Sequence, residues 1–214
     1  MTAPRITFDH LVVAAATLDT GIAWVEERLS VTVPHGGAHE HMATHNCVGR
    51  IGDDIYLEII ATNPDATPDR SRWFSMDTPG FQQRLNHEGA FLHHWAVASS
   101  DIKNTLAAAT HAPGDAMAMS RGDLHWQISV RDDGLLARDG LIPTVIQWPD
   151  IPHPSRNMVD LNLNFEGLEL RTVDVKGTTA DLLAIGAQSL VSVISDDANT
   201  LKAKFNKDGK TLEL

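Results

Sequence analysis

The chain has 214 residues, a formal net charge of −11, 43% hydrophobic and 21% charged residues, a balance that suits one large or two small globular domains with a sizeable core. No Lys/Arg cluster supplies the basic patch of a nucleic-acid binder, no apolar run approaches the roughly 20 residues of a membrane span, and no signal-peptide apolar core is evident, so a soluble, cytoplasmic protein with neither nucleic acid nor membrane as partner is expected. The single Cys47 excludes an internal disulfide framework, and eleven histidines are the one unusual feature of the composition.

Phe8 to Ala16 is an apolar run broken only by Asp9 and His10, and it reads as a strand. Apolar residues then recur at helical spacing, at Ile22, Val25 and Leu29, with Thr17 or Asp19 as N-cap and Glu26 and Glu27 on the polar side. A histidine inside an apolar strand is either functional or a hydrogen-bonded core residue, because a buried unpaired imidazole is costly. Residues 31–46 contain Pro34, Gly36 and Gly37 and read as a loop. His35, His39 and His41 there are taken as surface residues; His41 and His45 are spaced i, i+4, but without a helix that spacing has no ligand geometry. His45 enters the next strand and is a candidate cleft residue. Residues 46–51 and 55–60 read as strands around a turn at Gly52–Asp54. Tyr56, Glu58 and Ile60 share one face, so Glu58 is a carboxylate among apolar neighbours. Cys47 lacks a basic neighbour that would activate it and reads as an inert small hydrophobe.

Residues 61–76 look irregular, and Phe81 to Leu85 read as a short linking helix. Residues 91–109 then repeat the opening element at an offset of 84 residues: His94 falls on His10, Val97 on Val13, Ala98 on Ala14, Leu106 on Ile22. Strand, acidic cap and helix recur without a gap, which makes internal repetition the organising feature. Trp95 points away from His94 and belongs to the core; His93 leaves the register open by one residue, and one residue flips the face. Strands are expected at 124–130 and 143–148, with a turn at Asp132–Gly134. After a Pro-rich linker at 151–157, residues 161–173 read as extended, about 180–185 as a short helix, 190–194 as a strand and 203–214 as a hairpin turning at Lys207–Gly209. The fold class is therefore α+β, built of repeated β-α-β-β-β modules. The modules run over about 6–62 and 90–149, in a domain of residues 5–155, and a third, less regular module occupies 156–214.

The runs DHLVVAA (9–15), IAWVEERL (22–29), GGAHEHMATHN (36–46), IYLEIIA (55–61), IPTVIQW (142–148) and HPS (153–155) resemble, in order and spacing, those of the glyoxalase-like domain proteins of the vicinal oxygen chelate superfamily. The resemblance implies two modules pairing into an incomplete barrel, a curved, incompletely closed mixed sheet around a cleft, with a metal in the cleft. Carried over by position, the ligands would be His10 and Glu58 from the first module, His94 from the second, and Gln147 at or near the fourth place. Such ligands would suit Zn, Ni, Fe, Co or Mn, and an incomplete set would leave room for a chelating substrate. Gln147 departs from the carboxylate usual at that place. No nucleotide cofactor is implied.

The leading expectation is an enzyme acting on a small oxygen-bearing metabolite, with a divalent metal as Lewis acid and Glu58 as ligand or general base, of isomerase, lyase or dioxygenase type. His45, Arg121, Trp126 and His153 are candidate substrate-binding residues; the bland alternatives are a core position for Trp126 and a turn position for His153. The rival reading is a non-catalytic small-molecule binding or sequestering protein that keeps the cleft and dispenses with the metal. A small-molecule ligand is expected in either case, with a homodimer as a candidate assembly.

Overall fold

The computed structural model describes residues 3–150 and 152–214. The first unit comprises β1 (Ile6–Ala15), α1 (Leu18–Leu29), β2 (His35–His39), β3 (Thr44–Gly52) and β4 (Ile55–Thr62). Helix α2 (Pro79–Glu88) leads to the second unit: β5 (Ala90–Ser99), α3 (Ile102–Ala108), β6 (Asp115–Arg121), β7 (Leu124–Val130) and β8 (Thr144–Gln147). Together they form one curled, open eight-stranded sheet ordered β2-β3-β4-β1-β5-β8-β7-β6. β1 runs parallel to β4, β5 parallel to β8, and β1 meets β5 antiparallel at the centre.

The central pairing has a two-fold register. Leu11 lies opposite Trp95, His10 opposite Ala96 and Val12 opposite His94. Adding 84 to the β1 member of a pair and subtracting 84 from its β5 partner turns the set of pairs into itself, out to Ile6–Ser99 and Ala15–Ala90. The irregularities obey the same rule: the register skips Asp9 in β1 and His93 in β5. A bulge re-aims the side chains around it, and here it keeps Phe8 and Leu11, three residues apart, in the same core layer. His94 therefore holds the place equivalent to His10, and His93 the bulge.

The sheet separates two apolar layers. On one face Leu11, Val13, Leu57 and Trp95 pack with Val25 and Leu29 of α1 and Ile102 of α3. Thr17 caps α1 by accepting from the Thr20 backbone N–H, which settles its start. On the other face Val12, Ala14, Ile60 and Ile146 meet Trp73, Phe74 and Met76 from the irregular stretch after β4. That second layer forms the floor and one wall of the cleft.

Residues 164–213 build a separate four-stranded sheet from β9 (Asn164–Thr172), β10 (Ser192–Ser195), β11 (Thr200–Lys207) and β12 (Lys210–Glu213), with α4 (Val175–Ala184) after β9. It has the element sequence of the other units, but its order is β10-β9-β11-β12, whereas β1 and β5 each lie next to the last strand of their unit. It is thus no third copy of the same topology. Its Leu168, Leu170 and Phe205 join the core layer of Leu11 and Trp95.

Several local expectations change. Residues 35–39, read as loop, are the edge strand β2, irregular between His35 and Ala38. β6 gives no clear pattern in the sequence because its exposed and half-buried residues do not alternate cleanly. α4 begins five residues earlier than its apolar pattern suggests, at the cap formed by Asp174. Among the described residues no helix is long and apolar enough to cross a membrane.

Candidate active site

The bulge in β1 places Asp9 and His10 together beneath the cleft. Asp9 is fully buried. Its Oδ1 accepts from His10 Nδ1 at 2.5 Å, and its Oδ2 accepts from Trp148 Nε1 at 2.7 Å and from His153 Nε2 at 3.0 Å. Burial alone would raise the Asp9 pKa, but the hydrogen bonds and charges of His10 and His153 outweigh it and bring it down to about 2. With Nδ1 committed to Asp9, His10 turns Nε2 toward Glu58, whose Oε2 is 3.7 Å away. The ring of His10 stacks on Tyr56 of β4 at 4.5 Å between centroids. Burial, with the charges of Asp9 and Glu58 nearby, pushes the Tyr56 phenol well above its ordinary pKa, so Tyr56 stays neutral.

Glu58 sits on β4 with Tyr56 and faces β3. Its Oε1 accepts from Asn46 Nδ2 at 2.6 Å, and Asn46 Oδ1 accepts from Arg121 at 3.1 Å and from the Gly37 backbone N–H at 3.0 Å. These partners fix both ends of the Asn46 amide. The twin glycines of β2 make the arrangement sterically feasible. A Cβ on Gly36 would lie 2.4 Å from Asn46 Oδ1, and one on Gly37 would lie 2.8 Å from Arg121 Cδ. The result is a chain Asp9–His10···Glu58–Asn46–Arg121 across the cleft, in which an amide separates the carboxylate from the guanidinium.

The cavity around this chain encloses about 470 Å³, including its open mouth, and its remaining walls are largely aromatic, with Trp73, Phe74, Trp126 and Trp148. His10, Glu58, Arg121 and Trp126 all line it. His153 does not line this cavity; it borders an adjacent wider groove, as does Trp148, and acts on the cleft through Asp9.

The other candidates are placed elsewhere. His45 lies on the face of β3 opposite Asn46 and Val48, as strand alternation requires, and does not line the cavity. Gln147 accepts from the Ile102 backbone N–H at the start of α3 and borders the wider groove. His94 has both ring nitrogens engaged: Nδ1 donates to the Gly140 carbonyl at 3.0 Å, and Nε2 accepts from the Thr144 backbone N–H at 3.1 Å, with the Thr144 hydroxyl at 2.7 Å. Burial, with the charge of His93 beside it, lowers its pKa to about 3.

The register explains why. Val12 pairs with Glu58 and Ala96 with Thr144. Since Ala96 stands in β5 where Val12 stands in β1, Thr144 occupies the place of Glu58. The second unit thus repeats the His–carboxylate pair as a closed His–Thr hydrogen bond.

Three site residues escape a reading by pattern. Asp9 looks like a mere interruption of a strand, and its partners Trp148 and His153 lie 139 and 144 residues away. Asn46 was visible only as a strand start. His39, read as a surface residue, is buried in the cleft wall, its ring 4.9 Å from Trp73. Burial pushes its pKa down to about 4 against the opposing charge of Glu58. The twin glycines were the available signal, since they mark where the backbone must come close to other groups.

The donor set does not fit a resident divalent metal. His10 Nε2 and Glu58 Oε2 are two donors where protein sites supply three or more. His94 is closed by hydrogen bonds, Thr144 replaces the fourth carboxylate, Gln147 is elsewhere, and Arg121 adds a cation to the same cavity. Among the described residues no three His, Cys, Asp or Glu side chains converge in a group that could hold a metal.

Two paired β-α-β-β-β units around one cleft define the vicinal oxygen chelate architecture. A family model described as "Glyoxalase-like domain" matches residues 8–191, and the chain belongs to that family. The match runs into β9 and α4, beyond the motifs of residues 5–155. A hypothetical protein from Staphylococcus aureus shares the fold, with 16% identity, 98% of this chain and 84% of that chain covered, and a TM-score of 0.59. Methylmalonyl-CoA epimerase from Streptomyces coelicolor, in complex with 2-nitronate-propionyl-CoA, aligns at 16% identity over 69% of this chain and 97% of its own, with a TM-score of 0.43. The enzyme from Mycobacterium tuberculosis aligns at 14% over 66% and 87%, with a TM-score of 0.42. These last two alignments carry no argument about the site. A search of curated proteins found no match.

Proposed function

We propose that the protein is an isomerase-type enzyme that moves a proton on a carbon next to a carbonyl of a small oxygen-bearing metabolite. The observation that carries this reading is the pairing of Glu58 Oε2 with His10 Nε2, 3.7 Å apart at the cavity wall, each held by its far atom. Asn46 holds Glu58 and leaves Oε2 open; Asp9 holds Nδ1 of His10 and leaves Nε2 turned to Glu58. Glu58 takes the proton as the C–H bond breaks, the electron pair moves to the carbonyl oxygen, and the resulting enolate faces the Arg121 cation. Return of the proton from Glu58, or from His10 after transfer between the two, completes a reaction that consumes no other reactant. Chemistry that depends on a bound metal, including dioxygenase chemistry, is disfavoured by the donor set.

The test is solvent exchange. Wild-type protein incubated in D2O with a panel of small carbonyl compounds is expected to wash out the α-proton of a subset, followed by NMR, and Glu58→Gln is expected to slow this by about 10²–10⁴-fold. The closure of His94 on Thr144 also favours the rival reading, a binding protein without turnover. Saturable binding with no exchange of any bound compound would select that reading.

A further inference from the structure

Arg121 is the arginine that lines the inner cavity. Among the described residues Arg28, Arg50, Arg70, Arg72, Arg84, Arg131, Arg138, Arg156 and Arg171 each lie within 4.0 Å of a carboxylate oxygen; Arg5 and Arg121 do not, and of these two Arg5 is exposed at the wider groove whereas Arg121 lines the inner cavity. In a chain of net charge −11, an arginine that lines an inner cavity and is joined to Glu58 only through the Asn46 amide is a built feature. Its seat is shaped by Gly37, and one guanidinium nitrogen is committed to Asn46. The rest of the planar fork remains for a ligand, and that fork suits a carboxylate bidentately. Glu58 in the same cavity sets an upper limit on ligand charge, because a phosphate dianion would meet more repulsion from it than a carboxylate would. Much of the rest of the wall is aromatic or aliphatic. Trp126 and Trp148 lie 5.7 Å apart between ring centroids, and Trp73 is buried at the cavity wall with its indole N–H unpartnered. Such a surface rewards an aromatic or otherwise planar apolar body.

We propose that the ligand of this cleft is a small monocarboxylate with a planar apolar body, its carboxylate seated on Arg121 and its body among the indoles. This inference rests on the cleft being the functional site; if the protein turns its ligand over, the carboxylate is itself the carbonyl group whose enolate Arg121 faces, and if it only binds, the seat is the same.

The test uses the full chain with phenylacetate, phenylacetamide, 2-phenylethylamine and acetate as probes, followed by quenching of tryptophan fluorescence and by calorimetry. Phenylacetate is expected to bind saturably, at least about tenfold tighter than each of the other three. Arg121→Gln is expected to remove that advantage. Gly37→Ala, which displaces the guanidinium and leaves its charge, should weaken phenylacetate and leave phenylacetamide unchanged. Glu58→Gln should bind phenylacetate as well as or better than wild type. Equal binding of phenylacetate and phenylacetamide, an Arg121→Gln variant that melts like wild type and binds phenylacetate undiminished, or no saturable phenylacetate binding overturns the proposal. Arg121-dependent binding without solvent exchange of any carbonyl compound would leave it standing while defeating the enzymatic reading.

Discussion

Asp9 holds its charge out of reach of water, so its cost of removal should be large. It accepts from His10, Trp148 and His153, and breaking a buried charged network by altering one member typically costs about 3–5 kcal/mol. Asp9→Asn is therefore expected to destabilise the protein by about 3 kcal/mol in urea unfolding and to loosen His10; a loss under about 1 kcal/mol would show that the network contributes little. The buried histidines predict the pH response. His39 and His93 titrate at about 4 and His94 at about 3 in the folded protein, each lowered chiefly by burial from 6.5. Below about pH 6.5 the unfolded chain binds protons that the folded chain refuses, so stability falls as pH drops toward 4. Asp9, at about 2 against 3.8, adds its loss only below about pH 4. The melting temperature should thus decline steadily from pH 6.5 to pH 4; a flat profile would contradict the burial of these rings in neutral form. His10 and Glu58 were legible because polar residues inside apolar strands stand out. His94 was legible as a position and misleading as a role, because its closure depends on Thr144, 50 residues away.

At the scale of elements, the edge strand β2 looks like a loop because Gly36 and Gly37 disfavour regular structure, and neither shows the positive φ that a turn glycine often needs. Their purpose is space. Gly36→Ala would push a Cβ to 2.4 Å from Asn46 Oδ1 and Gly37→Ala to 2.8 Å from Arg121 Cδ. Under the proposed function both should reduce turnover, because Asn46 holds Glu58 and Arg121 is the proposed partner of the reacting oxygen. Since β2 is a sheet edge, the stability cost should stay within about 1–2 kcal/mol. Measuring exchange rate and melting temperature on the same samples separates the two effects, and unaltered exchange in both variants would remove the glycines from the account. The bulges at Asp9 and His93 were hidden for a related reason. A one-residue skip leaves composition untouched and alters only which face each side chain meets, so sequence alignment at the 84-residue offset found the equivalence of His10 and His94 without revealing its geometry.

Over the whole molecule, the eight-stranded sheet was readable as two repeats because its first strands and helices recur in register. The fourth-ligand place was not readable, since the loops before β8 differ in length and shift Thr144, not Gln147, into line with Glu58. The C-terminal sheet shares the main core: Phe165 lies 4.7 Å from Phe8 and 5.8 Å from Phe205 between ring centroids, and Phe205 is fully buried. Phe205→Ala should cost about 3–5 kcal/mol and lower a single unfolding transition; two separate transitions would show that residues 156–214 fold independently. The central claim concerns the cleft between the paired units, whose chemistry rests on Glu58 and His10 without a resident metal. It is tested most directly by α-proton exchange in D2O, comparing wild type with Glu58→Gln after both have been stripped by a strong chelator. The account predicts undiminished exchange by stripped wild type and a loss of about 10²-fold or more in Glu58→Gln. Exchange that disappears from wild type on stripping and returns with one divalent metal would contradict it.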